Sequence, residues 1–267
     1  MAQSNTVRLV DDPLLGHSAV AARAFKAGEV ILRQQPLLRL PDDAEDCSSE
    51  LRARSKLVLT TMHPGQAVRE GSLDATFVRF ALAFADSAPS VQQELLSSCY
   101  SPALDTTLAG TMAGASAARV AAAVAAFLTQ ESNLKGSKGS GSGGNKKGSS
   151  KDSAADAGAS GSGQGQQQLL SEATLLQALL AMKANAFGST IYPVACKLAH
   201  SCGANNASFT QKGGEGLVVA CTDIAEGDII SSCYLEAEHA LASAPYRRRE
   251  LLQRFLFQCA CACCRGR

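Results

Sequence analysis

The chain has 267 residues, 46% of them hydrophobic and 18% charged, with a net charge of +1 at pH 7. That is enough apolar material for a packed core in one large domain or two small ones. The net charge is too small to argue for nucleic acid or an anionic membrane as a partner. No apolar run of about eighteen residues appears, so no membrane span is expected. The segment Met1–Arg8 lacks the apolar centre of a signal peptide, and about fifteen residues before the first motif are too few for an ordinary transit peptide. A cytoplasmic or nuclear protein is therefore expected. In such a reducing compartment, most of the ten cysteines should be free thiols buried as small hydrophobes.

Val7–Val10 alternates as a strand does, and Asp11-Asp12-Pro13 is a turn signal. Ala19-Val20-Ala21 is a short apolar run. Lys26-Ala27-Gly28 reads as a turn, followed by a β-branched strand at Glu29–Leu32 that ends before Pro36 and Pro41. The same grammar returns at Asp223–Ile230: a turn, Gly227, the acid Asp228, then Ile229 and Ile230. These are two similar turn-plus-strand units rather than a true repeat. Glu29 and Asp228 each follow a turn glycine and are explained by turn chemistry, not as a pair of catalytic carboxylates.

Residues 48–132 read as helical. Phe77, Val78, Phe80, Ala81 and Phe84 recur at helical spacing, Pro89 suits the first turn of a helix reaching about Ser97, and 114–130 is rich in Ala, Val and Leu. Residues 133–168, rich in Gly, Ser, Lys and Gln, lack aromatic and β-branched residues. They bury too little apolar surface to offset ordering entropy, so a disordered insertion is expected, its lysines solvated. A helix resumes over Gln168–Ala186, with Leu169, Leu170, Leu175, Leu176, Leu179, Leu180 and Met182 on a broad apolar stripe, stopped by Gly188. Ala207–Thr210 and Leu217–Cys221 read as a hairpin about Lys212–Gly216. Then come the Ile229 strand, Tyr234, and a short helix from Tyr246 to Phe255 with Arg247–Arg249 on a solvated face.

The tail holds Cys259, Cys261, Cys263 and Cys264. Neighbouring residues of one short segment cannot all face one core, so packing does not explain them. Zinc takes four thiolate or imidazole ligands in a tetrahedron. Cys259, Cys261 and either Cys263 or Cys264 supply three, and Cys202 is the candidate fourth.

Several separated motifs now fall in one order. They are Gly16-His17-Ser18-Ala19-Val20-Ala21 with Phe25–Ile31, Asn185-Ala186-Phe187, Ala199-His200-Ser201-Cys202-Gly203-Ala204-Asn205, Gly227–Tyr234, and Phe255–Cys264. Together they resemble the SET-domain protein lysine methyltransferases, and within them the SET-and-MYND type. The likeness covers roughly residues 14–40 and 183–264. Cys47 and Cys99 stand alone in the helical middle, so the MYND zinc finger is expected to be absent, as is the C-terminal helical domain.

The resemblance implies an α+β, β-rich SET fold of short curled strands with a helical insertion and a zinc-clipped post-SET tail. It implies a single domain over 1–267: N-terminal SET strands at 7–47, the insertions at 48–132 and 133–168, a C-terminal SET core at 169–254 and the tail at 255–267. It also implies S-adenosylmethionine as cofactor, one structural zinc, and a protein substrate with a target lysine, with no direct contact to nucleic acid or membrane. Gly16, His17, Asn185, Ala199, His200 and Phe257 would then bind the cofactor, and Phe187, Phe255 and Tyr234 would line the lysine channel. The metal ligands would be Cys202, Cys259, Cys261 and, by the family's spacing, Cys264. The reaction would be displacement of a methyl group by a neutral lysine amine, which asks the protein chiefly for alignment. The reference pKa of lysine is about 10.4, and a cationic neighbour in an apolar channel favours loss of that proton. Tyr234 is the expected catalytic residue, its hydroxyl orienting the amine.

Two positions depart from the family pattern. Ala199 stands where the signature has Asn, which removes a hydrogen bond worth on the order of 1 kcal/mol, and Ala204 stands where it has Pro. They motivate the alternative of a catalytically weak or inactive SET-like interaction module. A purely structural zinc-clipped domain is a third reading.

Overall fold

The computed structural model describes residues 5–12, 16–39, 47–69, 71–100, 102, 106–138 and 170–265. Residues 139–168 of the expected disordered insertion lie outside them, as do Pro13 and Pro41. A hairpin opens the fold: β1 (Val7–Asp12) pairs antiparallel with β2 (Gly16–Ala21), from Val7↔Ala21 to Asp12↔Gly16. The strand therefore runs on through Asp11 and Asp12, where a turn was expected.

The two turn-plus-strand units pair with each other. Phe25 and Ile224 exchange backbone hydrogen bonds at 2.9 Å each, Gly227 N–H donates to Ala21 O, and Gly28 N–H donates to Ala220 O. Both turn glycines are left-handed, with φ of 87° at Gly28 and 86° at Gly227. Each following acid takes the amide three residues back: Lys26 N–H donates to Glu29 at 3.0 Å, and Ala225 N–H to Asp228 at 2.9 Å. Turn chemistry thus occupies both carboxylates.

A three-stranded sheet follows the order β3 (Val30–Gln34), β8 (Glu215–Ala220), β7 (Ala207–Lys212). The β7–β8 hairpin closes tighter than expected, with Lys212 opposite Glu215 and only Gly213 and Gly214 between them, both at positive φ. β4 (Leu38–Arg39) pairs with β5 (Thr190–Ile191), and β6 (Ala199–His200) runs parallel to β9 (Ser231–Ser232).

The helices are α1 (Ser49–Met62), α2 (Leu73–Asp86), α3 (Pro89–Ser98), α4 (Thr106–Ala109), α5 (Met112–Lys138) and α6 (Glu172–Asn185), then α7 (Ala237–Ala240), α8 (Ala244–Phe255) and α9 (Ala262–Arg265). Ser72 caps α2 through the amide of Ala75, and Ser171 caps α6 through that of Thr174. The expected phenylalanines of α2 are all fully buried. Helix α5 extends to Lys138, into the stretch expected to be disordered. By length and composition, Met112–Lys135 is the one helix among the described residues able to cross a membrane, with 39% of its most apolar window buried. Its Ala117, Val120, Ala121 and Val124 pack in the helical core.

From Ala178 onward helix α6 is buried nearly all round rather than on a stripe, while Glu172, Ala173 and Gln177 are exposed. It ends at Asn185, before Gly188, which instead sits at φ 61° in the two-residue turn between Phe187 and Thr190. The fold is a mixture of helix and strand in which helices carry more of the described residues than strands do. The expectation of a β-rich fold is corrected accordingly. The helical block builds a large core of its own, against which Leu38 of β4 and Ile191 of β5 also pack, whereas several strands are only two residues long. Three apolar clusters result: the helical core, a strand core around Phe25, Tyr192, Val218 and Ile224, and a small third one around Cys202, Leu251, Cys259 and Cys264.

Candidate functional site

A cavity of about 390 Å³ opens where these three clusters meet. Its walls include Asn185 at the end of α6 and Phe187 just beyond it, Asn205, Phe209 of β7, Ser232 of β9 with Cys233 and Tyr234 after it, and Arg254 and Phe255 at the end of α8. Phe187 and Phe209 lie with ring centroids 3.9 Å apart, making one aromatic wall. The strand after Asn206 is held by that residue's side chain: Nδ2 donates to Ile229 O and Ser231 N–H donates to Oδ1, both at 2.9 Å. No periodicity marks Asn206, and the sequence reading passed over it.

Tyr234 stands at the cavity edge. Its hydroxyl turns inward and donates to Leu198 O, and its ring lies 5.2 Å from Phe255 and 5.1 Å from His200. Burial, and then the nearby Cys196, push its phenol well above the ordinary range, so it stays a hydrogen-bonding hydroxyl at neutral pH. Phe257 meets Tyr234 edge-on at 6.1 Å and His200 at 5.7 Å. The chain places Phe255 and Phe257 on either side of Leu256, a buried residue in the left-handed region at φ 61°. Such a conformation costs a non-glycine residue roughly 1–2 kcal/mol, and the surrounding packing holds it there.

His200 is half-buried between this aromatic group and the cysteines. Burial, and then the charge of Arg247, hold its imidazole down to about 4, so the ring is neutral at pH 7. Tyr234 N–H donates to its Nδ1 at 3.1 Å. The proton therefore sits on Nε2, which faces Cys202 Sγ at 3.1 Å and donates to it.

The sulfurs of Cys202, Cys259, Cys261 and Cys264 all lie within 4.8 Å of one another. Cys202 Sγ is 3.8 Å from Cys259 Sγ and 3.7 Å from Cys264 Sγ. Four sulfurs about 2.3 Å from a zinc ion stand about 3.8 Å apart at the corners of a tetrahedron, so these residues fit that metal. Cys264 belongs to the set; Cys263 is exposed, its Sγ so close to Gly203 that a Cβ there would meet it at 2.9 Å. Burial pushes the thiols of Cys202 and Cys259 up, that of Cys259 to about 12, and a dication at this point would remove those protons.

The expected solvated face of Arg247–Arg249 is corrected in part. Arg247 donates to Cys263 O at 3.0 Å, Arg248 donates to Cys264 O, and Arg249 lies over the Tyr246 ring. Carbonyls of the tail, at Cys263 and Cys264, supply acceptors beside the start of α8 that no sequence window could show.

The structure thus brings together Asn185, Phe187, Tyr234 and Phe255 at the cavity, and His200, Phe257 and the four cysteines beside it. Ala199 is held by its backbone, its N–H donating to Ile230 O at 3.0 Å. Asn185 is 6% exposed and turns its Nδ2 to the carbonyls of Tyr100 and Ala181. Gly16 and His17, at the start of β2, are exposed and not among the residues lining the cavity, with His17 paired to Asp11.

No family model matches the chain, and no curated protein does. Among solved structures it is similar to the SET domain of LSMT bound to lysine and AdoHcy, at 14% identity and a TM-score of 0.41, over 97% of this chain and 54% of that one. It is likewise similar to Rubisco LSMT bound to sinefungin and monomethyllysine, at 14% identity and a TM-score of 0.42, over 97% of this chain and 53% of that one. The chain spans about half the length of the solved structures it matches.

Proposed function

We propose that the protein is an S-adenosylmethionine-dependent protein-lysine N-methyltransferase of SET architecture, resembling the SET-and-MYND type without its MYND finger. The observation that carries the reading is the position of Tyr234. It sits between Phe255 and His200 at the edge of a cavity that Asn185 and Phe187 also line. The cavity volume falls in the range of small-molecule sites, and aromatic walls with a few polar groups (Asn185, Asn205, Arg254) are what such sites present.

S-adenosylmethionine, when bound, would supply the activated methyl group. The chain's own part is alignment. Phe255 and Phe187 would confine a lysine side chain and exclude water, and the Tyr234 hydroxyl would direct the amine lone pair. Zinc, held by Cys202, Cys259, Cys261 and Cys264, would fix the tail and so keep Phe255 and Phe257 in place. It would supply no chemistry of its own.

The second reading, a catalytically weak or inactive interaction module, is favoured by Ala199 and by the commitment of Asn185 Nδ2 to two backbone carbonyls. Calorimetry with S-adenosylmethionine separates the two. Saturable heat is expected of the enzyme, and none at millimolar cofactor would sink that reading. Tritiated methyl transfer to a panel of lysine-rich proteins then tests Tyr234→Phe. A drop on the order of a hundredfold is expected, and an unchanged rate would clear Tyr234 of its role.

A further inference from the structure

Helix α3 and the 3₁₀ turn at Ala195–Lys197 bring two buried thiols together behind the cavity wall. Cys99 Sγ and Cys196 Sγ are 3.8 Å apart, and the residues are 6% and 8% exposed. Cys196 also lines the cavity. Lys197, itself 6% exposed, places Nζ 3.4 Å from Cys196 Sγ and 2.7 Å from Pro193 O. Among the described residues no carboxylate comes within ion-pair reach of it. A buried cation without a counter-charge is costly, and among the described residues the neighbour placed to supply that charge is the Cys196 sulfur.

We propose that Cys99 and Cys196 form a hydroperoxide-reactive dithiol in the cavity wall, with Cys196 the attacking thiol and Cys99 the resolving one. The Cys196 thiolate attacks a peroxide oxygen. The O–O bond breaks, Cys196 becomes a sulfenic acid, and hydroxide leaves. The Cys99 thiol then attacks that sulfur, forming the S–S bond and releasing water. Sulfur is oxidised by two electrons and the hydroperoxide is reduced by two. The roles follow the local fields. The hydrogen bond from Cys99 and the charge of Lys197 outweigh burial and hold the Cys196 thiol down to about 7, while its hydrogen bond with Cys196 and burial push Cys99 up. A disulfide needs the sulfurs about 2.0 Å apart, so closure draws the end of α3 towards the turn. Tyr100, next to Cys99, carries the carbonyl that holds Asn185 Nδ2. The bond therefore pulls on a residue of the cavity wall.

The test treats the full chain with hydrogen peroxide, alkylates the remaining thiols and digests with trypsin. Cys99 and Cys196 fall in separate peptides, Phe80–Arg119 and Ala184–Lys197, neither of which contains a tail cysteine. The expected product is these two peptides linked, released by dithiothreitol. In Cys99→Ala the link is lost and a dimedone adduct appears on Cys196 instead. Recovery of Cys196 unoxidised at a peroxide dose that oxidises the exposed Cys263 would overturn the proposal. So would a Cys196 sulfinic acid without any linked peptide. Lys197→Met, checked for its fold by circular dichroism, should slow Cys196 oxidation several-fold while leaving Cys263 unchanged. Equal rates at Cys196 would remove Lys197 from the device.

Discussion

The tail cluster makes a prediction that distinguishes two adjacent residues. Cys264 Sγ is 3.7 Å from Cys202 Sγ and is fully buried, while Cys263 is exposed and outside the set. Cys264→Ser removes one corner of the tetrahedron, and Cys263→Ser removes none. A ligand present at a thousandfold excess over its Kd stabilises the folded state by about 4 kcal/mol. For a domain of this size each kcal/mol moves Tm by roughly 2–4 °C, so losing tight zinc should lower Tm by on the order of 8–16 °C. An exposed Cys→Ser change should stay within about 0.5 kcal/mol. The assay is metal content per chain, with thermal melts before and after a strong chelator. One zinc per chain is expected for the parent and for Cys263→Ser, with loss of metal and of chelator sensitivity in Cys264→Ser. Equal zinc in both variants, or none in the parent, would refute the geometric reasoning.

Three other perturbations probe the packing, the cofactor contact and the buried charge. A Cβ at Gly216 would meet the Tyr192 ring at 2.8 Å and Phe209 at 3.0 Å, so Gly216→Ala should destabilise by about 1–3 kcal/mol in urea melts, and an unchanged midpoint would show that the strand core yields freely. Ala199→Asn supplies the amide of the signature that this stretch resembles. It should tighten S-adenosylmethionine binding several-fold for a bond worth about 1 kcal/mol, measured by calorimetry, and weaker binding would argue against that contact. Asp74 accepts hydrogen bonds from Ser116, from Arg119 at 3.1 Å and from His63 at 2.9 Å. Burial pushes its carboxyl up, but these partners outweigh it and hold the group below its ordinary value. Its contribution is therefore present above the unfolded value of about 3.9 and lost as pH falls through the lower folded value. Asp74→Asn should cost about 2–3 kcal/mol at pH 7, the gap to the parent closing on acidification; a gap constant with pH would contradict it.

What could be read from the sequence was local chemistry, and what escaped it was pairing across distance. The glycine-then-acid pattern at Gly28 and Gly227 was legible because a left-handed glycine and an acid taking the amide three residues back are properties of one turn. That the two turns pair with each other was not legible, because the partners lie nearly two hundred residues apart (Lys26–Asp223 is separated by 197). The tail cysteines were readable as a candidate metal cluster for a negative reason: no core could bury them all. Spacing alone left Cys263 or Cys264 open and the resemblance favoured Cys264; the short helix α9 gives the physical reason, burying Cys264 and leaving Cys263 exposed. Arg247 and Arg248 were assigned to solvent because helical spacing says nothing of what lies beyond the helix end.

The same distinction decides how much weight Ala199 bears. A side chain missing from a binding strand matters most when it also held the strand in place. Here the strand is held by its backbone: Ala199 N–H donates to Ile230 O, Ser201 N–H to Ser232 O, and Asn206 ties the neighbouring segment at both faces of its amide. His200, which meets the Cys202 sulfur and the Tyr234 amide, is thus placed without any side-chain hydrogen bond from residue 199. The departure therefore subtracts one contact from a geometry that stands without it. That leaves the aromatic group around Tyr234, rather than the missing amide, as the feature on which the proposed activity rests.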